Sequence, residues 1–174
     1  MEISAALVKE LRGRTSAGVM DCRNALAQVD GDLDKASELL RQQGLSKAEK
    51  RAGREAKQGL IETYVHFGGR LGVMVEVNCE TDFVAKTDEF KQLAHDLALQ
   101  IAAGGAVCVS IEDLPEETGL DPKEACLLEQ KSIRDDTRTI RDIVTETAAK
   151  TGEKVSIGRF VRFELGNQEA DGVV

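Results

Sequence analysis

Tryptophan is absent from the 174 residues, tyrosine occurs once, and aromatic side chains make up 3% of the chain. The core must therefore be aliphatic, and each of the five phenylalanines is individually informative. Histidine occurs only as His66 and His95, far apart in sequence. The four cysteines, Cys22, Cys79, Cys108 and Cys126, share none of the short spacings that zinc sites and redox dithiols favour. These scarcities argue against a metal centre, and the cysteines read as free, buried or half-buried thiols in a reducing compartment. Basic residues are also in deficit, 23 against 31 acidic for a net charge of −8, which argues against a general nucleic-acid binder. No apolar run approaches membrane-spanning length, and the first residues carry Glu2 and no apolar signal core. A soluble, cytoplasmic protein without a membrane partner is expected.

Hydrophobic residues make up 41% of the chain, enough for a packed core. Residues 1–44 predict three short helices. Ile3, Leu7 and Leu11 recur at helical spacing, and Ser16 is placed to cap a second helix carrying Met20, Ala25 and Leu26. Asp32 caps a third, with Leu33, Ala36, Leu39 and Leu40 facing inward and Gly44 as its left-handed stop. A unit of this size is a docking module, with no room for a catalytic pocket. In the following linker, 45–58, Lys47, Lys50, Arg51, Arg54 and Lys57 fall along one helical face. Two readings fit that stripe: an RNA- or acid-binding surface, or a solvated helix joining two domains. It lacks the interleaved aromatics that base stacking uses.

From Leu60 the period changes to two. "LIETYVHF" and "LGVMVEVNC" flank Gly68-Gly69, which predicts a hairpin. Thr87 caps a helix with the apolar stripe Phe90, Leu93, Ala94, Leu97 and Ile101, stopped by Gly104-Gly105. "AVCVS" fits a short strand or an extended connector. Asp121, Pro122 and Glu124 predict a capped helix with proline at its first position, in an acidic stretch that holds both prolines. A further helix starts near Thr139, buries Ile140, Ile143 and Val144, and ends at Gly152. A closing strand alternates Val155, Ile157, Val161, Phe163 and Leu165 with Arg162 and Glu164. The order predicts an α+β core over 59–166, a three-stranded antiparallel sheet with helices on one face, followed by a tail, 167–174.

Signatures of enzyme chemistry are missing. "GGRLG" sits in a hairpin and lacks the strand-to-helix context of a phosphate loop. His66 on a strand is structural or surface, and Asp135-Asp136 reads as a solvated turn. No catalytic residue, cofactor or metal ligand is expected. What stands out instead is "NCETDFVAKTDEF", Asn78 to Phe90. A buried strand would not use Glu80, Thr81 and Asp82, and an ordinary solvent loop would not use Phe83 and Val84. Either something folds over that pair, with Phe83 packing on the following helix, or a partner receives it.

"LVKELRGRTSAGVMDCRNAL" (Leu7 to Leu26), "EVNCETDFVA" (Glu76 to Ala85) and "RFVRFELG" (Arg159 to Gly166), in that order, resemble the bacterial elongation factor Ts family over nearly the whole chain. The resemblance implies a UBA-like N-terminal module and a function in translation elongation, as the guanine-nucleotide exchange factor for elongation factor Tu. It implies elongation factor Tu, GDP-bound and nucleotide-free, as partner, and no direct nucleic-acid contact. Thr81, Asp82, Phe83 and Val84 would form the tip that intrudes near the partner's magnesium and phosphates. Arg12, Val19 and Met20 would contact its GTPase domain, with Val19 standing where the family often carries methionine. The stretch between Val109 and Thr139 is too short for the long helical hairpin of some members, and the core occurs once where many members carry two copies. Single-core members pair two chains, which implies a homodimer. The rival from another class is an RNA- or ribosome-associated module using the basic stripe from Lys47 to Lys57.

Overall fold

The computed structural model describes residues 3–15 and 17–167, apart from the side chains of Leu45 and Glu49. The chain divides into two compact units, 1–54 with 145–154, and 55–144 with 155–174.

The first unit opens with three helices, α1 (Ala5–Thr15), α2 (Val19–Gln28) and α3 (Leu33–Arg51). Leu11, Cys22, Ala25, Leu26, Ala36 and Leu40 are buried together, with Ile3, Leu7, Leu33 and Leu39 packed at the edge. The expected cap Ser16 lies outside the described residues; the residue preceding α2 is Gly18, which supplies no side-chain bond. Asp32 does cap α3, its carboxylate accepting from the backbone N–H groups of Asp34 and Lys35 at 3.1 and 3.0 Å. The expected stop at Gly44 is overturned, because α3 runs through it to Arg51. A glycine inside a helix costs only about 1 kcal/mol, and the residues after it are good helix formers. In the same unit the Arg51 guanidinium donates to the carbonyl of Ala148 at 3.2 Å, and Lys154 donates to the carbonyls of Ala52 and Arg54, where the chain leaves the helix.

The second unit is built on an antiparallel sheet in the order β1 (Gln58–Val65), β2 (Leu71–Cys79), β3 (Val155–Glu164). The turn between β1 and β2 holds Gly68 and Gly69 at φ of 89° and 68°, the left-handed backbone that calls for glycine there. On one face lies α5 (Asp88–Gly104), capped by Thr87 and ended by Gly105 at φ 61°. Its Phe90, Leu93, Ala94, Leu97 and Ile101 are buried, as are Val73, Val75 and Val77 of β2.

β3 departs from strict alternation. The register slips between Glu76 and Val77, so that Arg159 pairs Glu76 while Ile157 pairs Val77, leaving Gly158 as an inserted residue. A Cβ at Gly158 would lie 2.6 Å from the Asn78 side-chain oxygen, which makes glycine the residue that fits. The insertion swaps the faces. Val155, Ile157 and Phe160 point to the core, whereas Phe163 and Leu165, expected on the buried face with Val161, are exposed.

Residues 106–139 form no long helix. They run through single 3-10 turns at Ile111–Asp113, Glu116–Thr118 and Leu127–Glu129 and a one-turn helix, α6 (Pro122–Ala125), which Asp121 caps as expected. "AVCVS" is a connector that makes one isolated bridge, Cys108 with Cys126. The buried amides of Gln100 and Gln130 hold this segment to α5. Gln100 donates to Gln130 at 3.0 Å and to the Lys131 carbonyl, and Gln130 donates to the carbonyls of Gly104 and Glu124. The last helix, α7 (Ile140–Thr151), starts with the side chains of Thr139 and Asp142 each accepting the other's backbone N–H.

Candidate functional site

The tip follows directly from β2. Cys79 is buried at the strand end, and its thiol donates to the Thr81 carbonyl at 3.1 Å. Thr81 is in extended backbone and caps a one-turn helix, α4 (Asp82–Ala85), accepting from the Val84 N–H. At the other end Thr87 acts twice. Its hydroxyl donates to the Val84 carbonyl at 2.7 Å and accepts from the Phe90 N–H that opens α5. Ala85 is buried and Val84 half-buried, so α4 is seated on the second unit through its last residues. A threonine bond at each end and the buried Ala85 fix the turn to the rest of its unit.

What the turn displays is Phe83, 81% exposed, beside an exposed Asp82. Of the two readings of Phe83, packing on the following helix does not occur. Asp82 is paired along α4 with Lys86, Oδ2 to Nζ at 2.6 Å. That hydrogen bond, reinforced by the lysine charge, holds the Asp82 carboxyl below the usual carboxylate range. The tip therefore offers a rigid apolar wedge next to an ionised carboxylate that carries its own counter-ion.

A second exposed cluster lies on the first unit. Val19 and Met20 begin α2 and are 51% and 60% exposed, while the neighbouring Cys22 is buried and turns the same helix onto its core. Arg12, also exposed, is in the last turn of α1. The basic stripe is not a continuous helical face. α3 ends at Arg51, so Arg54 and Lys57 lie outside it; Lys47 pairs with Asp21 at 3.4 Å and Lys57 with Glu55 at 3.1 Å.

Alternation alone misses a further surface, the sheet face opposite α5. Cross-strand rows place Val65, Gly72 and Phe163 side by side, then Thr63, Met74 and Val161. Val65 and Phe163 are 67% and 65% exposed, with Ile61 and Met74 also open. The sequence signal for this was Gly158, since an isolated glycine inside a strand pattern marks a bulge. Among the described residues no group of three or more His, Cys, Asp or Glu side chains is placed to hold a metal ion, and no helix is long and apolar enough to cross a membrane.

Comparison with known proteins places these features in a family. Residues 44–121 match the family model described as Elongation factor TS. The chain is 48% identical to elongation factor Ts of Carboxydothermus hydrogenoformans, over 94% of this chain and 89% of that protein. It is 45% identical to elongation factor Ts of Thermotoga maritima, over 98% and 100% respectively. With elongation factor Ts of Moorella thermoacetica the identity is 46%, over 94% and 96%. Similarity at this level covers nearly the full length of both chains in each comparison: the chain belongs to the elongation factor Ts family.

Proposed function

We propose that this protein is a guanine-nucleotide exchange factor of translation elongation, which binds elongation factor Tu in its GDP-bound and nucleotide-free forms and releases GDP through the α4 tip. The observation that carries the reading is Phe83, fully presented on a turn clamped by Thr81 and Thr87. An aromatic side chain left in water gains on entering an apolar pocket, and rigid aromatic anchors dominate binding energies. Thr81, Asp82, Phe83 and Val84 enter the partner beside its magnesium and phosphates. Mg²⁺ requires near-ideal octahedral geometry, so a small displacement of its ligands weakens the metal and GDP together. Factor and nucleotide then lower one another's affinity by the same factor. The family's role supports this reading, and the geometry of the tip agrees with it.

Arg12, Val19 and Met20 supply the second contact, on the partner's GTPase domain, with Val19 and Met20 as the apolar part. A contact through a long helical hairpin has no counterpart, since residues 106–139 are a chain of single turns. The outer sheet face supports pairing of two chains. Its open rows Val65–Gly72–Phe163 and Thr63–Met74–Val161 suit a self-complementary interface about a two-fold axis. The rival RNA-binding role for the Lys47–Lys57 segment gains no support, because its charges are spread over a helix end, a turn and the stretch that leads into β1, with Lys47 paired to Asp21 and Lys57 to Glu55. Release of a fluorescent GDP from a bacterial elongation factor Tu, with the intact protein and with Phe83→Ala, tests the reading. Acceleration by the first and its loss in the second are expected; no acceleration by the intact protein would refute it.

A further inference from the structure

We propose that Cys108 and Cys126 are a dithiol that a low-molecular-weight disulfide oxidises to an intramolecular disulfide, closing residues 109–125 into a covalent loop. The two sulfurs lie 3.2 Å apart. The backbone already joins these residues as strand neighbours: Cys108 N–H donates to the Ala125 carbonyl, and Leu127 N–H donates to the Cys108 carbonyl at 2.9 Å. Val107 and Leu128 extend the pairing on either side, to Ala125 and Val109. Two residues bridged in this way have α-carbons within the range a disulfide spans, and the bond itself is about 2.05 Å long. Closing it requires the sulfurs to approach by roughly 1 Å, a side-chain adjustment that leaves the bridged backbone in place.

In the resting state both side chains are buried. Burial, with the adjacent Cys126 adding to it, pushes the Cys108 thiol up to about 12, so at neutral pH it stands as a neutral thiol donating to its neighbours. Their cover is thin. Residues 111–124 are mostly exposed and consist of single turns, the kind of segment that opens locally at low cost. When it opens, one cysteine, as thiolate, attacks the small disulfide RSSR, forming a mixed disulfide and releasing one RSH. The second thiolate attacks the protein sulfur of that mixed disulfide and expels the second RSH. Two protein thiols are oxidised, one RSSR is reduced to two RSH, and the thiol protons leave with the released thiols. The closed loop restricts the unfolded chain and stabilises the folded unit. Cys22 and Cys79, whose thiols donate to the Ala17 and Thr81 carbonyls, are the internal comparison.

The test is incubation of the reduced, full-length protein with oxidised glutathione, followed by intact mass, non-reducing peptide mapping and thermal melting. Loss of two hydrogens, a linked Cys108–Cys126 peptide pair, and a melt raised by roughly 5 °C or more that reductant reverses are expected. A chain with Cys22→Ser and Cys79→Ser together should behave identically, and Cys126→Ser should lose both the linkage and the shift. Glutathione adducts that persist on Cys108 or Cys126, linkage through Cys22 or Cys79, or retention of all four thiols over a time that oxidises the unfolded chain would each overturn the proposal.

Discussion

The carboxylate of Asp82 is held 2.6 Å from the ammonium of Lys86 along α4, on the turn that displays Phe83. A bare carboxylate approaching a phosphate-rich site is repelled, and a lysine travelling with it offsets that repulsion. Both side chains are exposed, so the pair contributes little to stability. Lys86→Gln should leave the melt nearly unchanged and move the Asp82 carboxyl up towards its ordinary value, visible in an NMR titration. Nucleotide exchange should slow, more at low salt than at high. An unchanged Asp82 titration would remove the pairing from the account.

Met20 tests the second contact without disturbing the fold. It is exposed, whereas Cys22, Ala25 and Leu26 carry the packing of α2. Met20→Asp should therefore keep the melt and weaken binding of elongation factor Tu by about tenfold, as expected for a charge in an apolar contact worth ~1.4 kcal/mol. Calorimetry is the measurement. A point change is also cleaner than removing residues 1–44, because that cut would fall inside α3 and leave residues 145–154 without part of their unit. Equal affinity of the two proteins would refute the docking role of α2.

Phe163 offers the same kind of test for the proposed pairing of two chains. It sits on the outer sheet face beside Gly72, opposite Val65. Phe163→Arg should shift the chain from dimer to monomer in light scattering over a concentration series, by tenfold or more in the dissociation constant. The bulged strand itself should stay folded, since its core side chains are Val155, Ile157 and Phe160. A monomeric parent protein at high micromolar concentration would overturn the pairing.

Most of the framework was legible in the residues because it depends on local chemistry. Thr87, Asp32 and Asp121 cap where short polar side chains precede a helix, and Gly68-Gly69 turns where positive φ is needed. The misses came from contacts between distant residues. Gly44 reads as a stop, yet the helix of good formers runs through it to Arg51, whose guanidinium donates to the distant Ala148 carbonyl. Strict alternation put Val161, Phe163 and Leu165 in the core, and one inserted glycine reversed that half of the strand. Cys108 and Cys126 show no motif spacing, and only the fold of the connector against α6 brings their sulfurs together. The "TDFVA" motif marked the tip, but whether Phe83 was covered or presented depended on how Thr81 and Thr87 clamp the turn.

Stopped-flow release of fluorescent GDP from elongation factor Tu, driven by the intact protein and by Phe83→Ala, tests the role of the Phe83 wedge. Phe83 contributes little to the core, so the two should melt together. The account predicts that the intact protein accelerates release strongly and that Phe83→Ala loses at least tenfold of that acceleration, about 1.4 kcal/mol of coupling, while still forming the complex through α2. Full acceleration by a folded Phe83→Ala protein would contradict it.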